Sequence, residues 1–251
     1  MLALFNKSVA KCPDELQIQH PGSIVASVND ETLVKEFESK NPHSVNVNLG
    51  SSGFLAYSHN NRNPLVSRLF AVVDDIFCLF EGHIENVAAL KNQYGLSKTA
   101  NEVIIVIEAY KTLRDRGPYP ADQVVKDFAG KFAFILFDCT TKATFMAVDA
   151  DGSVPFFWGC DKECNLVVSD DAEILQKSCG KSFAPFPKGC FFTSSGGLKS
   201  FEYPMNALKA VPRVDSSGNV CGAIFQIDEE SKKESSNMPR VGSSYNWSSH
   251  Y

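Results

Sequence analysis

The chain has 251 residues, of which 44% are hydrophobic and 19 are Phe, enough apolar material for one large core or two small domains. Its formal net charge of −5 lacks the basic excess of a protein whose main partner is nucleic acid, and no apolar run reaches membrane-spanning length. Residues 1–7 are apolar but too short for a signal-peptide core and have no basic stretch before them, so a cytoplasmic location is expected, with the nucleus also open.

In chain order, residues 1–10 read as a strand followed by a turn. Residues 11–42 are mixed, with a short amphipathic helix near 31–37. Val45-Asn46-Val47-Asn48-Leu49 alternates like a half-buried strand. Gly50-Ser51-Ser52-Gly53 is a turn, 54–57 a strand and 59–64 a polar loop. Arg68 then opens an apolar run rich in β-branched and aromatic residues, read as one buried strand. The run ends at Glu81-Gly82-His83, where a glycine lets the backbone turn or approach a ligand. A helix is expected next, with Ile84, Val87, Ala88 and Leu90 near helical spacing. Such a strand–glycine–helix corner offers free backbone N–H groups, and it is also an ordinary way to build a sandwich.

Tyr94-Gly95-Leu96 ends that helix, with Gly95 as its cap. Thr99, with Glu102 three residues on, has capping-box spacing for the next helix, over 101–113. Val103, Ile104, Val106, Ile107 and Tyr110 give it a broad stripe that must face a sheet. Leu113-Arg114-Asp115-Arg116-Gly117-Pro118-Tyr119-Pro120 breaks it, and 121–127 form another short helix. The second half changes period. Residues 131–138 read as a strand buried on both faces, with 144–148 as its hairpin partner. Strands follow at 155–159 and 165–169, then a short helix or turn at 170–176. Strands at 190–193 and 198–201 flank Ser194-Ser195-Gly196-Gly197. Residues 1–228 are expected to form one domain and 229–251 a polar tail, in which Tyr245 and Trp247 dock while 229–237 stay mobile. Two helices set among many strands imply an α+β layered sandwich.

The eight cysteines are scattered, as buried thiols in a reducing compartment are. Cys160 and Cys164 have loose metal-ligand spacing, but no second Cys/His pair completes a tetrahedral set, so a turn between strands is the simpler reading. No metal and no cofactor are expected.

Arg68-Leu69 before a strand, the Gly82 corner, a helix and then Glu102-Val103-Ile104 resemble class II glutamine amidotransferase domains, above all the glutaminase domain of asparagine synthetases. Gly130–Asp138, Gly152-Ser153-Val154-Pro155-Phe156-Phe157-Trp158-Gly159 and Phe186-Pro187-Lys188-Gly189 resemble further segments of that family. The resemblance implies a four-layer αββα sandwich of the N-terminal-nucleophile hydrolase type. Within it, Tyr94-Gly95-Leu96 and Leu113-Arg114-Asp115-Arg116 resemble the signatures of the plant aluminium-induced, stem-specific family. That family name describes induction of expression and gives no reason to expect bound aluminium.

Residue by residue, what the resemblance implies is mostly negative. The amidotransferases use a cysteine directly after the initiator methionine, with its own amine as base. This chain has Leu2, which carries no nucleophilic atom and hinders methionine removal. The family's Asn-Gly-Glu corner reads Glu81-Gly82-His83. A carboxylate at Glu81 repels an oxyanion rather than stabilising it, and His83 cannot replace an anionic partner for an ammonium. An Asp of the family aligns with Ala100. Only Arg68, which in the family holds the substrate carboxylate, is retained. The expectation is a non-catalytic plant protein, stress- or metabolism-responsive, that binds a ligand or partner. The candidate ligand-binding residues are Arg68, Glu81, Gly82 and His83, for a small carboxylate or other anion, unless Arg68 pairs internally with Glu81. A homodimer surface is a further candidate. The competing reading is an active hydrolase or amidotransferase using Cys78, although an apolar strand suits an unreactive thiol better.

Three other features have simpler structural readings. Ser195-Gly196-Gly197-Leu198-Lys199-Ser200 resembles a pyrophosphate-binding loop but lies between short strands, as a hairpin turn does. Asp170-Asp171 could hold a metal, and a helix cap is the simpler use. Arg114, Asp115 and Arg116 could bind an anion or form an ion-paired helix end.

Overall fold

Alternating apolar residues build two sheets that are covered on both faces. The structure, a computed structural model, describes residues 1–16, 30–59, 67–116, 121–214, 218 and 220–228. Its elements are β1 (Leu2–Phe5), α1 (Asp30–Lys40), β2 (Val45–Asn48), β3 (Gly53–Tyr57), β4 (Ser67–Val73), β5 (Ile76–Ile84), α2 (Val87–Tyr94), α3 (Glu102–Arg116), α4 (Ala121–Lys126), β6 (Gly130–Asp138), β7 (Ala143–Val148), β8 (Phe157–Cys160), β9 (Leu166–Ser169), α5 (Ala172–Cys179), β10 (Phe183–Pro185), β11 (Cys190–Thr193), β12 (Gly197–Ser200), β13 (Leu208–Val214) and β14 (Val220–Ile227). One six-stranded sheet has the order β10-β8-β9-β1-β3-β2 and the other β12-β11-β7-β6-β5-β4, while β13 and β14 pair by themselves.

Successive side chains of a strand point to opposite faces, so each central strand feeds two cores. In β6, Ile135 and Phe137 enter the core between the sheets, while Phe134 and Leu136 pack under α2, α3 and α4. In β1, Ala3 and Phe5 face the inter-sheet core, and Leu2 and Leu4 pack with Leu33 and Phe37 of α1 and Ile174 and Leu175 of α5. The layers therefore run αββα, the architecture that the resemblance implied. Each fully buried Phe or Leu contributes roughly 1.5–3 kcal/mol of transfer free energy.

Several expectations need correction. The run from Arg68 to Phe80 is a hairpin, β4 and β5, turned by Asp74 and Asp75, both with positive φ. Such a two-residue turn matches the twist of its strands and is signalled most strongly by Asn-Gly or Asp-Gly, which the stretch from Arg68 to Phe80 lacks. Gly82 is no corner either. It lies within β5, in register with Ser67 on one side and Phe132 on the other. Ile84 closes β5, and α2 starts only at Val87. The cap of α3 is Asn101, whose Oδ1 accepts from the Ile104 N–H at 3.3 Å, and not Thr99, whose hydroxyl pairs with Ser97. The strands β13 and β14 were not expected. Pro212 and a register shift beside it blur their alternation. Val45–Asn48 is a strand, but an edge strand whose Val45 is exposed.

Other readings hold. Gly95 caps α2 in the left-handed conformation, and the Leu96 N–H reaches the Lys91 carbonyl at 2.8 Å. Arg114 closes the end of α3 by pairing with Asp115 and with the buried Asp138 of β6. Ser194–Gly197 turns the β11–β12 hairpin. The break expected at 117–120 and the docked tail expected at 229–251 lie outside the described residues.

Candidate functional site

Strand pairing brings four charges to one end of the inner sheets. In the β4–β5 ladder Arg68 stands directly opposite Glu81. In the other sheet Leu2 pairs with Ser169, which sets Met1 beside Asp170. The Met1 ammonium lies 2.7 Å from Asp170 Oδ1. The Arg68 guanidinium lies 3.1 Å from Glu81 Oε2 and also contacts Asp170 Oδ2. Around these ions, Ser169 Oγ donates to the Met1 carbonyl at 3.0 Å and Tyr57 Oη donates to the Arg68 carbonyl at 2.7 Å.

The cluster is buried, with Arg68 6% and Glu81 9% exposed. Two cations face two carboxylates, so their formal charges cancel. Burial still penalises ions. It pushes the Met1 amine below its ordinary 8.0, with Asp170 opposing and Arg68 adding to the shift. Burial, and then the charge of Asp170, pushes the Glu81 carboxyl above its ordinary range against the pull of Arg68. Removing one partner from such a buried set leaves an uncompensated charge, which costs about 3–5 kcal/mol.

The other expected site residues fall elsewhere. Gly82 has φ +133°, and a Cβ on it would sit 2.1 Å from the Lys131 carbonyl oxygen, so the glycine serves the close approach of β6. His83 is exposed, with Nδ1 3.3 Å from Glu102 Oε1. It lines an open cleft of about 770 Å³ together with Lys91, Lys98, Ala100, Asn101 and Glu102. Arg68 and Glu81 lie outside that cleft. The structure thus joins Arg68 to Glu81 and separates both from His83. Cys78 packs on the helix-covered face of β5, and burial raises its thiol. Alternation sends it to the opposite side of the sheet from Glu81.

Asp170 and the Met1 amine are the site groups that sequence reasoning missed. Asp171 caps α5 by accepting from the Glu173 N–H at 2.9 Å, leaving Asp170 for the ion cluster. Two adjacent acids before one helix were the available signal, since a single cap uses one of them.

Two helix-flanked sheets, with the start of the chain, an arginine and two acids gathered at one end, place the chain in the class of αββα sandwiches. Within that class the chain belongs to the aluminium-induced protein family, whose model matches residues 2–227. It is 43% identical over 148 residues to stem-specific protein TSJT1 of Nicotiana tabacum, covering 59% of this chain and 99% of that protein. It is also 26% identical over 150 residues to the glutamine-hydrolyzing asparagine synthetase 2 of Oryza sativa subsp. japonica, covering 59% of this chain but only 24% of the synthetase. Among solved structures it is similar to the glutamine phosphoribosylpyrophosphate amidotransferase of B. subtilis, with a TM-score of 0.44 and 18% identity, covering 68% of this chain and 40% of that one. A glutamine aminotransferase class-II domain protein of Silicibacter pomeroyi gives a TM-score of 0.39 and 11% identity, covering 78% and 88%.

Proposed function

We propose that this chain is a non-catalytic amidotransferase-like protein, stress- or metabolism-responsive, that acts by binding a small ligand or a partner. The ion cluster of Met1, Arg68, Glu81 and Asp170 carries this reading. Where the resembling enzymes present a cysteine, this chain has Leu2, fully buried and packed toward α1 and α5. Where they grip a substrate carboxylate, Arg68 is engaged by two internal carboxylates. In this reading Arg68 and Glu81 are the ligand-binding pair, a small carboxylate reaches Arg68 by displacing Asp170 or Glu81, and Gly82 and His83, expected with them, stand apart.

The test is glutamine hydrolysis by the purified chain. Ammonia release is expected at background for the wild type and for Leu2→Cys, because Glu81 and Ala100 are unsuited to the oxyanion and the ammonium. Ammonia release that disappears in Cys78→Ser would replace this reading with the enzyme reading. Native mass spectrometry of protein from its own tissue is expected to show a bound small anion or a second protein chain. Repeated recovery of the bare monomer would count against binding as its role.

A further inference from the structure

The edges of the two large sheets are not treated alike. β10 and β12 lie on the side that the β13–β14 hairpin covers, with β14 against β10 and β13 against β12. β2 and β4 are the edges of the other side, where the Tyr57 ring of β3 stacks on Phe70 of β4 at 5.7 Å. Among the described residues no strand pairs with the outer edge of either. Proteins blunt such edges with proline, bulges or charged side chains. The strand β4, Ser67-Arg68-Leu69-Phe70-Ala71-Val72-Val73, has no proline and an unbroken register with β5. Its one charge, Arg68, is turned inward to Glu81, while Val72 is 46% exposed.

The hairpin decides which main-chain groups of this edge face outward. Its turn at Asp74-Asp75 closes on Val73 and Ile76 as a hydrogen-bonded pair, and such pairs alternate with non-bonded ones along an antiparallel ladder. The N–H and C=O groups of Arg68, Phe70 and Val72 therefore point away from β5. The Arg68 carbonyl accepts from the Tyr57 hydroxyl. That leaves the main-chain groups of Phe70 and Val72, on either side of Ala71, to pair with another strand.

We propose that the chain forms a two-fold dimer in which β4 pairs antiparallel with β4 of a second copy about Ala71. Phe70 of each copy then stands opposite Val72 of the other and exchanges N–H and C=O bonds with it. Opposed residues share a face, so an aromatic ring meets a β-branched side chain on the inner face, where Phe70 already packs. On the helix-covered face Leu69 meets Val73, and the small Ala71 meets its own copy. A two-fold requires a surface that matches itself, and this register does so in charge as well. It carries Asp74 of one copy to Arg68 of the other and Asp75 to Ser67, so the two acidic turns stay apart. The strand is about 24 Å long. Four layers about 10 Å apart give that side of the sandwich an area of about 700 Å², close to the roughly 800 Å² that each partner buries in a stable interface. The dimer stands whether or not the ion cluster takes a ligand.

The experiment measures the mass of the full chain in solution by analytical ultracentrifugation at micromolar concentration. The wild type is expected to be a dimer. Val72→Lys, which places an ammonium on the pairing edge, should raise the dissociation constant about a hundredfold and yield the monomer. Val72→Pro should do the same by removing an outward N–H. Val214→Lys, at a 54% exposed position of β13 on the covered side, should stay dimeric. Ala71→Cys should form a reducible disulfide between copies that the wild type does not form, since a non-hydrogen-bonded antiparallel pair sets its Cα atoms about 4.5 Å apart. A monomeric wild type, a Val72→Lys variant as dimeric as the wild type, or an Ala71→Cys dimer without the crosslink would overturn the proposal. If Val72→Pro does not fold, the wild type and Val72→Lys decide.

Discussion

Glu81 is a carboxylate that the fold tolerates at some cost. Burial and Asp170 raise its pKa above the ordinary 4.5, with Arg68 opposing. A group raised in the folded state contributes stability that is fully present below its unfolded value and is lost as pH rises through its folded value. Glu81→Gln keeps a partner for Arg68 and removes that titration. The stability of the wild type minus that of Glu81→Gln should therefore fall as pH rises from about 4.5 upward, read by urea unfolding across the series. A difference that rises over this window would refute the burial of the ion. Asp170 touches both cations, so Asp170→Asn should cost about 3–5 kcal/mol in the same assay. A loss under about 1 kcal/mol would mean that water, not protein, solvates the cluster.

At the scale of elements, both family signatures serve the fold. Gly95 supplies the left-handed cap of α2. Arg114 ties the end of α3 to Asp138, whose carboxylate also accepts from Tyr110 Oη at 3.0 Å and from the Thr140 N–H at 2.8 Å. Burial opposes these hydrogen bonds, which nonetheless hold the Asp138 carboxyl below its ordinary range. The start of α3 gives a sharper test, because two residues compete for the cap. Asn101→Ala should lose about 1 kcal/mol, and Thr99→Ala should stay within about 0.5 kcal/mol, in chemical denaturation. The opposite ranking would restore the capping box that the spacing of Thr99 and Glu102 suggested. That spacing misled because Asn101 stands closer to the first turn with the same capping chemistry.

For the whole molecule, the β13–β14 hairpin closes the sandwich at one side. The Phe225 ring lies 5.3 Å from the Trp158 ring, and the Arg213 guanidinium lies 5.0 Å over the Phe183 ring. Gly222 permits this contact, since a Cβ there would meet the Phe183 carbonyl oxygen at 2.6 Å. Phe225→Ala should cost about 2 kcal/mol, less than a core Phe because the ring is only half buried. Trp158 emission, measured in a Trp247→Phe background, should shift to the red. Unchanged emission and unchanged stability would mean that the hairpin does not cover the inner core.

Layer class was legible in the sequence because alternation is a local property. Lys131-Phe132-Ala133-Phe134-Ile135-Leu136-Phe137 declares a strand buried on both faces wherever it sits. The absence of a cysteine at position 2 was equally plain. The hairpin at Asp74-Asp75 was not, because its apolar flanks run on without a glycine signal. The fate of Arg68 was only half legible. Glu81 was nameable as a partner because both residues flank one apolar run. Met1 and Asp170 come from positions 169 apart, and only the antiparallel pairing of β1 with β9 sets them together. Sequence patterns fix which face a side chain takes. Which charges meet there depends on register between strands distant in the chain, and that is decided only when the sheets form.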